Sequence, residues 1–262
     1  MNTKIEKDAL KWINKNGINL EIDVCDTFRK KGFDVRHSSY FKDTEDNKLR
    51  EIDIIARNYS ISRDGIELSI IFVIECKYIK HSPWILFVSP DSSHDRNILF
   101  TWAYISKKGR ELLADILRTN KNVFRELPWP IYGTESANCC MQMSNNEKDN
   151  AYDALQKVSK ASFYLFNEQS GLIEPNIISL EIIFPIIVVD GPLLKCFRDK
   201  KNKLQIKKAK NGFLYFSRDF QNRPNPRIQI MTKDYLPKFI KEALNAPQLL
   251  RKHIIEHKTY KT

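Results

Sequence analysis

Two apolar segments with charged residues inside them dominate the hydropathy pattern of this chain. Residues about 50–60 and 66–79 are rich in isoleucine, valine and phenylalanine, as in buried β-strands. Between them lies the sequence Ser-Arg-Asp-Gly at 62–65, whose Asp-Gly pair is a strong signal for a hairpin turn. The pattern therefore predicts an antiparallel hairpin that folds back about residue 64.

Helical and strand periodicity extends over most of the remaining chain. Residues about 4–15 and 19–31 have the apolar spacing of helices, and Gly32 is placed to cap the second one. Pro185 inside an apolar run predicts a bulge, or a strand that starts after it. Further predicted elements are a strand opening at 33–35, helices near 109–119, 147–167 and 235–245, a buried strand over 182–189, and short strands at about 192–198, 203–208, 212–217 and 227–232.

Charged residues interrupt both strands of the predicted hairpin. Glu51 and Asp53 lie on the first strand, and Glu75 and Lys77 lie on the second. Because side chains alternate along a strand, the members of each pair share a face. Folding about residue 64 places Asp53 opposite Glu75, to within about one residue of register. The other face then carries Ile52, Ile54, Ile74 and Cys76.

Two carboxylates that face each other across a hairpin are unfavourable. Like charges on opposite strands repel, and burying them without a partner costs further free energy. A divalent cation between Asp53 and Glu75 offsets both costs, so we interpret the hairpin as a metal site. The alternative is a structural salt bridge on an exposed sheet face, in which Lys77 pairs with Glu75 or Glu51. Glu51 either pairs with Lys77 or joins the metal shell, and the structural pairing is favoured.

Composition and charge narrow the class of partner. The chain has 262 residues, a formal net charge of +11 and a pI near 9.3, which favour nucleic acid first and an acidic membrane surface second. Hydrophobic residues make up 42%, enough for a folded core. No segment approaches the roughly 20 apolar residues of a membrane helix, and the N-terminus lacks the apolar core of a signal peptide. The five cysteines match neither a disulfide framework nor a zinc site, which favours a reducing cytoplasm.

The charged hairpin and the helix before it carry a family resemblance. The motifs are Glu51-Ile52-Asp53, then the hairpin, then Glu75-Cys76-Lys77, preceded by a helix with Glu21. Together they resemble the PD-(D/E)xK, restriction-endonuclease-like nuclease superfamily. One departure is Ile52, which stands where the family usually has a proline before the aspartate.

The resemblance implies an α/β fold with a restriction-endonuclease-like core. That core runs helix, three antiparallel strands, helix, strand, and it can be laid onto residues about 19–79 and 147–190. Residues about 80–146 are then an inserted segment, and about 191–262 form a C-terminal β-rich extension. The whole chain, 1–262, is expected to be a single nuclease domain.

The resemblance also implies a chemical role for the charged hairpin residues. Asp53 and Glu75 would bind Mg²⁺, for which Mn²⁺ can substitute, together with the backbone carbonyl of Cys76. The metal lowers the pKa of a bound water and neutralises charge on the phosphate. Lys77 would orient or deprotonate that water and stabilise the developing negative charge. The expected reaction is hydrolysis of a phosphodiester bond.

By the same resemblance, the helices before and after the hairpin contribute further candidate site residues. Glu21 is either an additional metal ligand or a solvated helix charge, and both interpretations stay open. Gln156, on the helix after the third strand, is either directed into the active site or exposed, with the exposed position favoured. Lys157 and Lys160 on that helix are interpreted as solvated.

Several other polar and aromatic segments are interpreted as having structural rather than catalytic roles. His81 and the loop 91–95 (Asp-Ser-Ser-His-Asp) are interpreted as loop residues, and Trp84, Trp102 and Trp129 as core rather than base-stacking residues. The basic segment 195–210 is either a phosphate-contacting ribbon or a solvated hairpin. The basic tail 251–258 is expected to be frayed and to contact nucleic acid non-specifically.

The preferred hypothesis is a Mg²⁺-dependent DNA nuclease of the bacterial cytoplasm. The family resemblance suggests restriction, phage defence or repair, with a homodimer or partner subunits of a defence system as candidate assemblies and no membrane partner. The competing hypotheses are a nucleic-acid-binding protein of the same fold without cleavage, a nuclease directed at RNA, and an assembly or regulatory subunit whose basic surface meets another protein.

Overall fold

One large mixed β-sheet with helices on both faces forms the fold in the computed structural model. The structure describes residues 3–61, 66–79, 82–88, 103–105, 107–119, 136–143, 149–169, 178–216 and 227–259. Within these ranges the sheet contains 11 strands. The protein is therefore of the mixed α/β class, as the sequence predicts.

Most helices and strands lie close to the predicted segments, but the described strands within residues 80–146 were not predicted. The helices are α1 (Lys4–Lys15), α2 (Ile18–Arg29), α3 (Lys107–Thr119), α4 (Asn150–Gln169) and α5 (Leu236–Thr259), with a 3-10 turn at Lys233–Tyr235. The first seven strands are β1 (Asp34–Lys42), β2 (Leu49–Ile61), β3 (Ile66–Tyr78), β4 (Trp84–Val88), β5 (Ala103–Ile105), β6 (Ser136–Gln142) and β7 (Ile178–Asp190). The last four are β8 (Leu193–Arg198), β9 (Leu204–Ala209), β10 (Asn211–Tyr215) and β11 (Arg227–Thr232). The hairpin turn at 62–65 lies outside the described residues.

The order of the strands in the sheet is β1-β2-β3-β7-β11-β10-β6-β4-β8-β9, and β5 also pairs with β7. β1, β2 and β3 form an antiparallel meander, and β7 runs parallel to β3 along its whole length. Strands β4, β5 and β6, which fall in the segment predicted to be an insertion, are members of this same sheet. The candidate site therefore lies on the meander, near the end of β3.

Strand β7 passes through Pro185 without a break, so the predicted bulge or late start is wrong. Pro185 is the partner of Val73 in the parallel ladder with β3. On its other edge, β7 pairs with β5 up to Ile182 and with β11 from Ile186 onward. Pro185 falls between these two ranges, so its missing N–H leaves no gap in the described ladders.

Each face of the sheet has its own hydrophobic core. Helices α2, α3 and α5 cover one face, which we call the α2 side, and α4 covers the other, the α4 side. Helix α4 packs through Ala154, Leu155, Val158 and Ala161, which recur at helical spacing. Trp84 is fully buried in the α4-side core, as predicted. No helix among the described residues is both long and apolar enough to cross a bilayer.

The basic C-terminal segment is helical, contrary to the prediction of a frayed tail. Helix α5 continues to Thr259, well beyond the predicted end near residue 245. Leu250 and Ile254 are buried in the α2-side core, one helical turn apart. Their burial anchors the segment, and the basic residues between them do not prevent it.

We expect Gly191→Ala to destabilise the fold by about 2–4 kcal/mol. Gly191 follows β7 with a φ of 145°, and a Cβ atom there would lie 2.7 Å from the carbonyl carbon of Ile79. Denaturant unfolding measures the loss. Gly32→Ala is the matched control, because Gly32 also has a positive φ, of 80°, but nothing lies within 4 Å of the position that its new methyl group would take. An equal loss at both positions would contradict the steric argument.

Candidate metal and catalytic site

The predicted register of the hairpin is confirmed. The β2–β3 ladder ends at the pair Ile54 and Ile74, and one further step places Asp53 opposite Glu75. Beyond the ladder the link between the strands is made by a side chain. Asp53 Oδ2 accepts a hydrogen bond of 2.7 Å from the Cys76 N–H. Ile54, Ile74 and Cys76 face the α2-side core, as predicted.

The alternation of side chains in β2 breaks just at Asp53. The sequence predicts that Ile52 shares a face with Ile54, but Ile52 packs in the α4-side core, so this prediction is wrong. The β1–β2 ladder is interrupted at the same point, where Ser38 has a φ of 53°. A left-handed conformation is strained for a residue with a side chain. Asp53 thus lies where the strand reverses its faces, and it bonds both to β3 and to α4.

A lysine from helix α4 joins the two carboxylates. Lys157 Nζ lies 2.9 Å from Asp53 Oδ1 and 2.8 Å from Glu75 Oε2. Lys77 Nζ lies 2.6 Å from Glu75 Oε1. The prediction that Lys157 is solvated is wrong, because α4 packs on the sheet through Ala154 and Lys157 follows it at i+3, on the same side of the helix. This spacing was the one signal in the sequence for its inward position.

The four charged groups balance one another within the protein. Glu75 is fully buried, and the side chain of Asp53 is 12% exposed. Two carboxylates and two ammonium groups sum to zero charge, so the repulsion between Asp53 and Glu75 is offset without a metal. The two carboxylates therefore do not by themselves require a divalent cation, contrary to the expectation from the sequence. A residue 82 positions after Glu75 in the chain supplies the compensating charge.

The protonation of the site follows from burial and from these neighbours. Burial and the charge of Asp53 raise the pKa of Glu75, and the ammonium groups of Lys77 and Lys157 oppose the rise. Burial would lower the pKa of Lys157, but the adjacent Glu75 and Asp53 raise it above its ordinary value. Lys157 is therefore a permanent cation near neutral pH. Glu75 Oε2 lies close to this ammonium but accepts no hydrogen bond of regular geometry.

Glu21 lies beside the cluster, on helix α2. Its Oε2 is 2.7 Å from His37 Nε2, a residue of β1 that the sequence argument missed. Burial raises the pKa of Glu21, the hydrogen bond from His37 lowers it, and the charge of Asp53 raises it. Glu21 is thus close enough to sense Asp53, while its role as a metal ligand stays a prediction.

A groove of about 550 Å³ opens between β2 and α4, next to the cluster. Gln156 is partly buried in its wall, so the favoured prediction of an exposed position is wrong. Glu51 also lines the groove but makes no hydrogen bond or ion pair within the described part of the chain, so its predicted pairing with Lys77 is not formed. The other lining residues are Leu49, Arg50, Asp153, Lys157 and Lys160.

Lys160, the second lysine predicted to be solvated, belongs to a separate ion-pair network. Its Nζ lies 2.5 Å from Asp43 Oδ2 and 2.8 Å from Glu45 Oε2. Arg50 Nε lies 2.6 Å from the same Asp43 oxygen. Asp43 is fully buried, so this network ties α4 to the β1–β2 turn.

The donor set fits a hydrated Mg²⁺ ion. Asp53 and Glu75 both reach within 3 Å of one point, the position of Lys157 Nζ, so they are near enough to share a cation. In the described ranges no group of three or more His, Cys, Asp or Glu side chains forms a metal cluster. Mg²⁺ commonly uses one or two protein carboxylates and keeps several waters, so two suffice. The Cys76 carbonyl as a third ligand stays a prediction.

Comparison with known proteins adds no assignment. No family model, no curated protein and no solved structure matches the chain. His81, the loop 91–95, Trp102 and Trp129 lie outside the described residues. The charged cluster and its groove therefore remain the features of the protein that indicate a function.

Proposed function

We propose that this chain is a Mg²⁺-dependent nuclease that hydrolyses phosphodiester bonds in DNA. One observation carries the proposal: Asp53, Glu75 and Lys77 converge at one end of an antiparallel hairpin, beside a groove. Carboxylates that can share a cation, with a lysine bonded to one of them, are the groups that metal-assisted phosphate hydrolysis requires.

The order of the elements supports a restriction-endonuclease-like core. Helix α2 is followed by the meander β1-β2-β3, then by α4, and β7 pairs in parallel with β3. This is the order helix, three antiparallel strands, helix, strand that the family resemblance implies. On this proposal β4 to β6 with α3 are an insertion, and β8 to β11 with α5 are an extension.

Each side chain of the cluster has a defined task in the proposed reaction. Asp53 and Glu75 would hold the ion, whose positive charge would lower the pKa of a bound water and stabilise the phosphate. Lys77, bonded to Glu75 at 2.6 Å, is placed to orient the attacking water and to stabilise negative charge on the phosphate. Glu21 and Gln156 border the cluster and would position ligands or substrate.

The charge distribution supports a nucleic-acid substrate. The formal net charge is +11, and the β8–β9 hairpin carries exposed lysines with no ion-pair partner among the described residues, such as Lys207 and Lys208. Basic ribbons of this kind contact phosphates in a salt-dependent manner. DNA in the cytoplasm is the proposed substrate, in restriction, phage defence or repair, with a homodimer or partner subunits as the proposed assembly.

A plasmid-nicking assay tests the proposal. Wild-type protein is expected to nick DNA with Mg²⁺ and not with EDTA, and Lys77→Ala to lower the rate by roughly 10²-fold or more. Lys238→Ala is the control, because Lys238 is an exposed lysine on α5 far from the hairpin in sequence. Labelled RNA in a parallel reaction separates the two substrates. No cleavage of either nucleic acid under any metal condition would refute the proposal.

One observation favours a second function, a nucleic-acid-binding protein that does not cleave. Lys157 already pairs with both carboxylates, so the cluster is stable without an ion. On this alternative the basic surface retains DNA at low salt, and neither Mg²⁺ nor Lys77→Ala changes that binding. Filter binding across a salt series, combined with the nicking assay, distinguishes the two functions.

A further inference from the structure

Lys157 stands between the groove and the two carboxylates. Its ammonium lies 2.8 to 3.1 Å from Asp53 Oδ1 and from both carboxylate oxygens of Glu75. Of these three residues only Lys157 lines the groove. Because Glu75 is fully buried, an ion that arrives through the groove meets Lys157 before it reaches either carboxylate.

The ammonium and a divalent ion cannot share this position. Both would take the same oxygens of Asp53 and Glu75, and each cation would repel the other in a partly buried site where water screens weakly. An ammonium this close to both carboxylates fills the space that an ion bound to them would need. Binding of the ion therefore requires Lys157 Nζ to move.

The groove offers the lysine a second position. The Lys157 side chain is 29% exposed and forms part of the groove wall, so its flexible stem has room to turn outward. Water in the open groove can solvate the displaced ammonium at the end of that stem.

We propose that Lys157 is a displaceable internal cation that, together with Lys77, neutralises Asp53 and Glu75 in the metal-free protein and turns outward into the groove when a divalent ion binds. This inference rests on the proposed function, because it assumes that the carboxylates bind an ion. Its consequence is that metal binding has to displace the lysine, which lowers the apparent affinity for the ion. Lys157 thereby sets the metal concentration at which the site fills.

Calorimetric titration of the full chain with Mn²⁺ alone tests this consequence. Lys157→Met keeps an unbranched apolar stem, one atom shorter than that of lysine, but removes its charge, and it is expected to bind Mn²⁺ at least roughly tenfold more tightly than the wild type. Lys238→Met, an exposed helix lysine with one carboxylate partner, is the matched control and should bind as the wild type does. Affinity in Lys157→Met that is equal to or below that of the wild type would overturn the inference.

A measurement on the wild type keeps the inference testable if Lys157→Met does not fold. Reductive methylation followed by peptide mass spectrometry reports how accessible each lysine amine is. Lys157 is expected to react slowly without metal, because it is paired with two carboxylates, and several-fold faster with Mn²⁺. The exposed Lys238 should react equally in both states. A Lys157 labelling rate that Mn²⁺ leaves unchanged or lowers would overturn the inference.

The outcomes separate this inference from the proposed function. If the wild type binds Mn²⁺, Asp53→Asn abolishes the binding, and Lys157 neither blocks it nor changes its labelling, the inference fails while the metal site stands. If neither the wild type nor Lys157→Met binds Mn²⁺, both the metal site and the inference fail. Tighter binding by Lys157→Met together with faster labelling in the wild type supports both.

Discussion

Asp53→Asn is expected to lower Mg²⁺-dependent DNA cleavage by roughly 10²–10³-fold while the fold is retained. The amide oxygen of asparagine can still accept the Cys76 N–H bond that Asp53 accepts at 2.7 Å, so the junction between β2 and β3 is kept. The lost negative charge removes one of the two carboxylates proposed to hold the ion. Initial rates of plasmid nicking at several Mg²⁺ concentrations measure the effect.

Two controls make the Asp53 result specific to the site. Asp26→Asn changes an exposed carboxylate of α2 whose ion-pair partner among the described residues is Arg29, and it should cleave at the wild-type rate. Circular dichroism and thermal melting should show that Asp53→Asn remains folded. A folded Asp53→Asn that cleaves as fast as the wild type would remove Asp53 from the catalytic site.

Asp43→Ala is expected to destabilise the protein by about 2–4 kcal/mol, because it removes a fully buried carboxylate that pairs with two cations. Lys160 and Arg50 both contact Asp43 Oδ2, and Asp43 Oδ1 accepts the Glu45 backbone N–H at 3.1 Å. Without the carboxylate, the ion-pair partner that the described part of the chain leaves to Lys160 is the exposed Glu45. Urea unfolding of wild type and variant measures the difference.

The stabilising effect of Asp43 should also depend on pH. Burial raises the pKa of Asp43, but hydrogen bonds from Lys160, from the Glu45 N–H and from Arg50 outweigh it, so the folded-state pKa is below its ordinary value. A group with a depressed folded pKa stabilises the fold above its unfolded pKa of about 3.9, and this stabilisation is lost as the pH falls through the folded pKa. The difference in unfolding free energy between wild type and Asp43→Ala should therefore be constant at neutral pH and shrink below about pH 4.

Asp46→Ala is the control for both Asp43 results. Asp46 also pairs with Arg50, at 2.7 Å, but its side chain is 32% exposed. Water replaces the lost partner there, so the expected loss is clearly smaller than that of Asp43→Ala. Comparable losses for Asp43→Ala and Asp46→Ala would show that burial of Asp43 contributes little.

The local elements of the hairpin could be predicted from residue order alone. Apolar runs on both sides of an Asp-Gly turn predicted β2 and β3, and the turn position predicted which residue of β2 faces Glu75. These features depend on neighbours within about 25 residues. The reversal of faces at Ile52 could not be predicted, because it accompanies the left-handed conformation of Ser38 on another strand.

Residue order and composition, read without coordinates, were sufficient for the α/β class, the hairpin, its register and the three charged groups that it presents. Whether those charges are paired was decided only in three dimensions, when α4 packed on the sheet and brought Lys157 to Asp53 and Glu75. Hydropathy periodicity shows which face of a helix is buried, but it does not show which charge on the opposing element that face will meet. Charges compensate each other only when they lie close together, and residues 53 and 157 are brought close together only by the folding of the chain.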